Sequence, residues 1–264
     1  MAEYVGDDLS GSRFERVDLT GSEWFRVRLN DARMRRVDLS GIELRGAAIY
    51  GGRLIGLELN GVELTGEFID VTINGVEIGS LVEAELDRRD PDRVKLRPDD
   101  ADGYRDGWAM VCRRWDATIE RARGLPPGVL HGHVAGEWTF VQTLRHLNFA
   151  VGAWIGRMLL GDPSPWHPLD LPWDEAPGWD GIPWDRDATP TLDEVLAVWH
   201  DRRALVDDVM DGLTDEQLAD TVSMSEPGWP SYQNVPVPDC LRVVLNEMWE
   251  HRNYAERDLD VLTG

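Results

Sequence analysis

Residues 17–41 read VDLTG SEWFR VRLND ARMRR VDLSG, five blocks of five with a large apolar residue at each centre: Leu19, Trp24, Leu29, Met34 and Leu39. The register extends both ways without a break. Leu9 and Phe14 precede it, and Leu44, Ile49, Leu54, Leu59, Leu64 and Ile69 follow. Neither a helix, with a period of 3.6, nor a flat strand, with a period of 2, produces a spacing of five. Small or apolar residues such as Val17, Ala32, Val37 and Ala47 stand two places before many centres. Glycine recurs two places after, as at Gly11, Gly21, Gly41 and Gly61. Glycine supplies the backbone freedom a sharp corner needs. The pattern predicts a chain that turns at every block, with the central residues directed to an axis.

These blocks resemble the pentapeptide-repeat family. The resemblance implies a right-handed square β-helix of about three coils over residues 1–79, which serves as a binding or stacking surface. Some members of that family mimic DNA toward gyrase. Residues 1–70 carry 13 acidic and 9 basic residues, a net charge of only −4, and three coils are short for such mimicry. A rigid cap or docking platform for the second module is the favoured expectation, with a protein partner on the β-helix the alternative.

From Asp70 the register fades. Asn74–Gly75 is a turn pair between short strands, and a short helix is expected at 80–89, ending before Pro91. Residues 80–101 are read as a linker carrying that helix. Four amphipathic helices then follow, at about 102–123, 137–160, 192–211 and 239–261. The third opens on a capping box, Thr191 with Glu194, and a short piece at 214–219 has another, Thr214 with Gln217. The fold class is therefore multidomain, a β-helix joined to an all-α four-helix bundle over 102–264. Two long connections interrupt the bundle. Residues 161–190 hold seven prolines and four tryptophans, and residues 222–238 carry Trp229. Such loops either line a site or blanket apolar helix surface, and the sequence favours neither.

The formal charge of −22 excludes a phosphate-backbone partner and an anionic membrane surface. The first residues show neither a basic region nor an apolar core of a secretory signal, and no apolar run approaches the ~20 residues of a membrane helix. Two cysteines, Cys112 and Cys240, make no disulfide framework. A cytoplasmic protein is expected. With one lysine among 27 basic residues, the composition suits a GC-rich bacterial genome.

Chemistry concentrates on two helices. Glu247 and His251 stand four apart on the fourth, so both project from one face. His146 lies in the second, with Thr139, Gln142, Thr143, Ala150 and Ala153 expected to leave room before its imidazole. Three nitrogen and oxygen ligands from facing helices leave coordination positions open, as catalytic metal sites do. An exposed i, i+4 Glu–His pair and a hydrogen-bonded core histidine are the ordinary alternatives, and the combination carries the argument. Tyr254 and Asp258, one and two turns beyond His251, are candidate catalytic proton donors or partners of the ligands; structural hydrogen bonding competes. Arg252 and Arg257 are candidate contacts to a cofactor carboxylate, against helix-surface ion pairs. Cys240, near the start of the fourth helix, is read as packing, His131 and His133 as loop histidines rather than a second metal pair, and His200 as partly exposed.

From Tyr104 to Leu262 the chain resembles the DinB-like superfamily. Trp138, Thr139, His146 and Leu147 match its helix-two motif, and NEMWEHRNYAERDL (246–259) matches its helix-four motif. Many members use three histidines. Glu247 at the middle position is similar to the mycothiol-dependent maleylpyruvate isomerase branch. The resemblance implies a divalent metal (zinc, with nickel the second choice), a low-molecular-weight thiol such as mycothiol, and a small-molecule electrophile. A metal-dependent thiol S-transferase or isomerase is the expected function. The alternative is a non-catalytic interaction module with a vestigial or structural metal site. A homodimer is the default assembly.

Overall fold

In the computed structural model, which describes residues 3–174, 176–179 and 181–264, the chain divides into two compact units, 1–64 and 65–264.

The five-residue rhythm is written into the backbone of the first unit. Left-handed residues recur at every fifth position from Gly6 to Gly61, with Arg16, Arg26, Asp31 and Arg36 standing where the others are glycines. The D-L-S/T blocks close by local bonds: Ser10 N–H donates to Asp8 (2.9 Å), Thr20 N–H to Asp18 (3.0 Å) and Ser40 N–H to Asp38 (3.0 Å). An aspartate bonding the backbone two residues on is an Asx turn, and the Ser or Thr hydroxyl donating to the same carboxylate, together with that backbone bond, lowers each carboxyl's pKa. No strand ladder forms among the described residues before Thr72. The central apolar side chains are 43% (Leu9) to 69% (Leu54) exposed across the repeat.

The second unit opens with a hairpin, β1 (Thr72–Ile73) and β2 (Val76–Glu77), paired antiparallel across Asn74 and Gly75. Both turn residues have positive φ, as a two-residue hairpin demands. Glu77 accepts from Gly79 N–H (2.6 Å) and so starts helix α1 (Gly79–Arg89). A 3-10 turn follows at Pro91–Leu96. The segment read as a linker is in fact tied to the bundle. Arg114 reaches Asp90 and Asp92, both at 2.8 Å, and its guanidinium lies over the Trp249 ring.

The bundle is built from α2 (Ala101–Arg123), α4 (Phe140–Val151) continued by a π-helical stretch (Gly152–Leu159), α5 (Leu192–Gly212) and α7 (Val237–Thr263). Two four-residue helices, α3 (Pro127–Leu130) and α6 (Asp215–Leu218), and a strand pair, β3 (Thr221–Val222) with β4 (Val235–Pro236), lie between them. Neighbours run α2–α7–α4–α5 and back to α2. The buried face of α2 carries an apolar stripe at helical spacing: Tyr104, Trp108, Val111, Trp115 and Ile119. Trp115 is the hub. Its indole N–H donates to Met248 O on α7 (2.8 Å), and its ring leans on Trp199 of α5. Both capping boxes expected from sequence form, at Thr191 and Thr214. No helix among the described residues is long and apolar enough to cross a membrane.

Two wholly buried arginines of the second long helix hold the two long loops. Arg145 donates to the carbonyls of Leu169 (2.8 Å), Ala188 (2.6 Å) and Asp185. Arg157 donates to those of Pro163 (2.7 Å), Pro230 (3.0 Å), Ser225 (2.8 Å) and Pro227 (2.6 Å). Burial pulls both guanidinium pKa values down, yet a guanidinium stays charged, so the carbonyl oxygens must take the place of water around it. Above them Phe149 is ringed by Trp166, Trp173, Trp184 and Trp229. The tryptophans thus blanket apolar surface, while other residues of the same loop line the site described next.

Candidate metal centre

His146, Glu247 and His251 come together, each offering one ligand atom within 4.8 Å of the others. Glu247 Oε2 lies 3.5 Å from His146 Nε2 and 3.0 Å from His251 Nε2. The i, i+4 spacing on α7 sets the first pair, and α4 packed against α7 delivers the third. His146 is buried, while the other two are partly exposed, so the site opens at one side.

The tautomer of His146 follows from its surroundings. Its Nδ1 stands 3.0 Å from Leu171 O in the long loop, and only Nδ1–H can donate to a carbonyl. Nε2 is therefore the nitrogen that faces Glu247 and His251. A carbonyl behind the imidazole is the arrangement by which metal-ligating histidines are oriented. Burial alone would raise the Glu247 carboxyl, but hydrogen bonds from His146 and His251 outweigh it and hold it at about 2. Two imidazole nitrogens and one carboxylate oxygen make a borderline-soft donor set, suited to a first-row divalent cation. The residues present fit such an ion.

Trp138 covers the imidazoles. Its ring centroid is 4.4 Å from that of His146 and 5.9 Å from that of His251, nearly parallel to the latter. Its indole N–H donates to Asp174 Oδ1 (3.2 Å), also in the long loop. Helix α4 begins three residues later than expected because Thr139 and Gln142 close a capping box there. The space expected beside His146 is thus not left open by those two side chains. They serve the helix end, and the Trp138 ring stands against the imidazole. Spacing could mark Trp138, eight residues before His146. Leu171 contributes a backbone oxygen and has no side-chain signature.

The remaining candidates divide. Tyr254 sets its ring edge-on to His251, 5.9 Å between centroids. Burial, with the nearby carboxylates of Glu250 and Glu137, raises its pKa, so the hydroxyl keeps its proton. Asp258 pairs with Arg257 (2.7 Å) and shares a narrow cleft with Trp138 and Thr143. Arg257 also reaches Glu137 (2.5 Å) and lies over the Tyr254 ring. Arg252 is directed to α2, donating to Arg114 O (3.1 Å) and Thr118 Oγ1 (2.9 Å). Both arginines are engaged within the protein. Cys240 and Cys112 are buried, and burial pushes their thiols to about 11 and about 12, which makes them inert packing groups. His131, His133 and His200 are exposed and stand outside the ligand set.

Neither the curated proteins nor the solved structures compared with this chain contain a match. The family model of the DinB superfamily matches residues 111–255, more than half of the chain, a span that includes His146, Glu247 and His251. Its span runs from the middle of α2 to the middle of α7, the elements that bring those ligands together, and the chain belongs to the DinB superfamily.

Proposed function

We propose that the bundle is a divalent-metal-dependent enzyme that uses a low-molecular-weight thiol, of the mycothiol type, for S-transfer to or isomerisation of a small electrophile. The His, Glu, His donor set with one open side carries this reading. A bound zinc or nickel ion would supply Lewis acidity, lowering the pKa of a thiol or water placed beside it. The chain's own groups have separable tasks. Leu171 O fixes the His146 ring, and Glu247 adds the negative charge that favours a dication. Trp138, latched to Asp174, keeps water from one face of the imidazoles. Tyr254, protonated at neutral pH, is a hydrogen-bond donor toward charge developing on a substrate oxygen. Arg257 reaches a cofactor carboxylate only by leaving Asp258 and Glu137, and Arg252 only by leaving α2.

The repeat of residues 1–64 has the rhythm of a pentapeptide β-helix, and we read it as closing into such a coil that docks a protein partner from the cytoplasm. A homodimer would fit the same surface.

Metal analysis of protein purified without an affinity tag, followed by thermal-shift screening against mycothiol, bacillithiol and glutathione, tests the proposal. A bound divalent ion and a stabilising response to one thiol are expected. A metal-loaded protein that answers no thiol would replace thiol chemistry with attack by water. A metal-free protein would favour the non-catalytic module.

A further inference from the structure

The buried histidine of the centre is steadied from a loop, and the loop is steadied from the residue beside that histidine. Leu171 O accepts from His146 Nδ1 (3.0 Å), and Leu171 N–H donates to the backbone O of Arg145 (3.2 Å). The wholly buried Arg145 side chain returns to the same loop, its Nε–H donating to Leu169 O (2.8 Å). Its terminal nitrogens hold the returning leg, donating to Ala188 O (2.6 Å) and Asp185 O. Asp185 N–H in turn donates to Pro168 O (2.9 Å), so the two legs are joined where the guanidinium grips them.

Between the gripped points lie Leu171, which backs His146, and Asp174, which accepts from the Trp138 that covers both imidazoles. The turn leading to Leu171 has little slack. Asp170, wholly buried, accepts from His167 N–H (2.9 Å) and from Arg202 of α5 (3.2 Å), and its own N–H donates to His167 O (3.0 Å). A guanidinium presents its donors in a rigid planar fork, whereas a lysine ammonium offers three from a single point and cannot span both legs. Arg157, further along the same helix, supplies a matched comparison. It is equally buried and equally bonded to carbonyls, those of Pro163, Ser225, Pro227 and Pro230, and none of these orients a ligand.

We propose that Arg145 is a positioning residue of the metal centre, holding Leu171 O where it sets the His146 ring with Nε2 toward Glu247 and His251. The role rests on those three residues holding a metal, as proposed above. Metal affinity then depends on a side chain that supplies no ligand, because groups that orient a ligand set its readiness to bind.

Zinc affinity, read by competition with a chromogenic chelator, is compared in the full-length wild type, Arg145→Lys and Arg157→Lys. Arg145→Lys should bind zinc about tenfold to a hundredfold more weakly, the range for groups that orient a ligand, and Arg157→Lys should match the wild type. In the zinc-loaded proteins, NMR of labelled imidazoles should show a slowly exchanging His146 Nδ1–H in the wild type and Arg157→Lys, and lose it in Arg145→Lys. Should Arg145→Lys fail to fold, hydrogen exchange of the wild type decides: zinc should slow the amides of residues 169–171 and leave those of 222–234 unchanged, since coupling between ligand and loop is reciprocal. Equal zinc affinity in the wild type and Arg145→Lys, equal weakening in both variants, or exchange at 169–171 that zinc does not alter overturns the positioning role and leaves the metal centre standing. Wild-type protein that takes up no zinc overturns both.

Discussion

At the scale of single residues, the imidazole of His146 is fixed on both nitrogens, Nδ1 to Leu171 O and Nε2 toward Glu247. Removing a ligand should therefore cost far more metal affinity than stability. His146→Ala is expected to weaken metal binding by at least about a hundredfold, above the range for groups that only orient a ligand, as read by competition with a chromogenic chelator. Glu247 gives a pH prediction. Its folded pKa, about 2, lies below the ordinary 4.5. The ionised carboxylate thus contributes stability fully above pH 4.5, and that contribution is lost as pH falls through about 2. In chelator-treated protein, the stability gap between wild type and Glu247→Gln should shrink steadily over that window; a constant gap would contradict the assignment. Glu247 and His251 were legible because spacing on a helix is spacing in space, and His146 through the helix-two motif it shares with the superfamily. Leu171 was not, since any residue has a carbonyl, and the engagement of Arg252 with α2 depends on how two helices meet.

Elements show the same division between local and distant causes. The boxes Thr191–Glu194 and Thr214–Gln217 were readable because donor and acceptor lie three residues apart. Thr191→Ala should cost about 1 kcal/mol of stability in denaturant titration. What the sequence left open was the role of the long loops. They are fastened by two arginines inside a helix whose stripe reads as core, and the bonds go to backbone carbonyls from residues 163 to 230. Arg157→Met should leave those carbonyls without donors, cost roughly 3 kcal/mol and open residues 222–236 to limited proteolysis. Metal content should persist, because no ligand or ligand-orienting carbonyl belongs to that loop. Loss of metal in a folded Arg157→Met protein would show that the second loop supports the site as well.

For the whole molecule, the two units differ in what their sequences declare. In the first, a period of five fixes the backbone rhythm, seen in left-handed residues at every fifth position. A period does not say whether successive turns stack, because stacking depends on contacts between blocks. In the second, four apolar stripes are enough to specify a ring of helices, since each stripe can be buried only against the others. Residues 65–264 should accordingly fold alone, with a cooperative thermal transition and the metal affinity of the full chain; a fragment that aggregates or binds metal more weakly would mean that the repeat completes the bundle. Elemental analysis by mass spectrometry of the untagged protein beside His146→Ala and Glu247→Ala reads the metal site itself. Close to one equivalent of a divalent transition metal is expected in the wild type and essentially none in either folded variant. Wild-type protein that carries no metal and takes up none on titration, or variants that retain it, would rule out a metal centre at His146, Glu247 and His251.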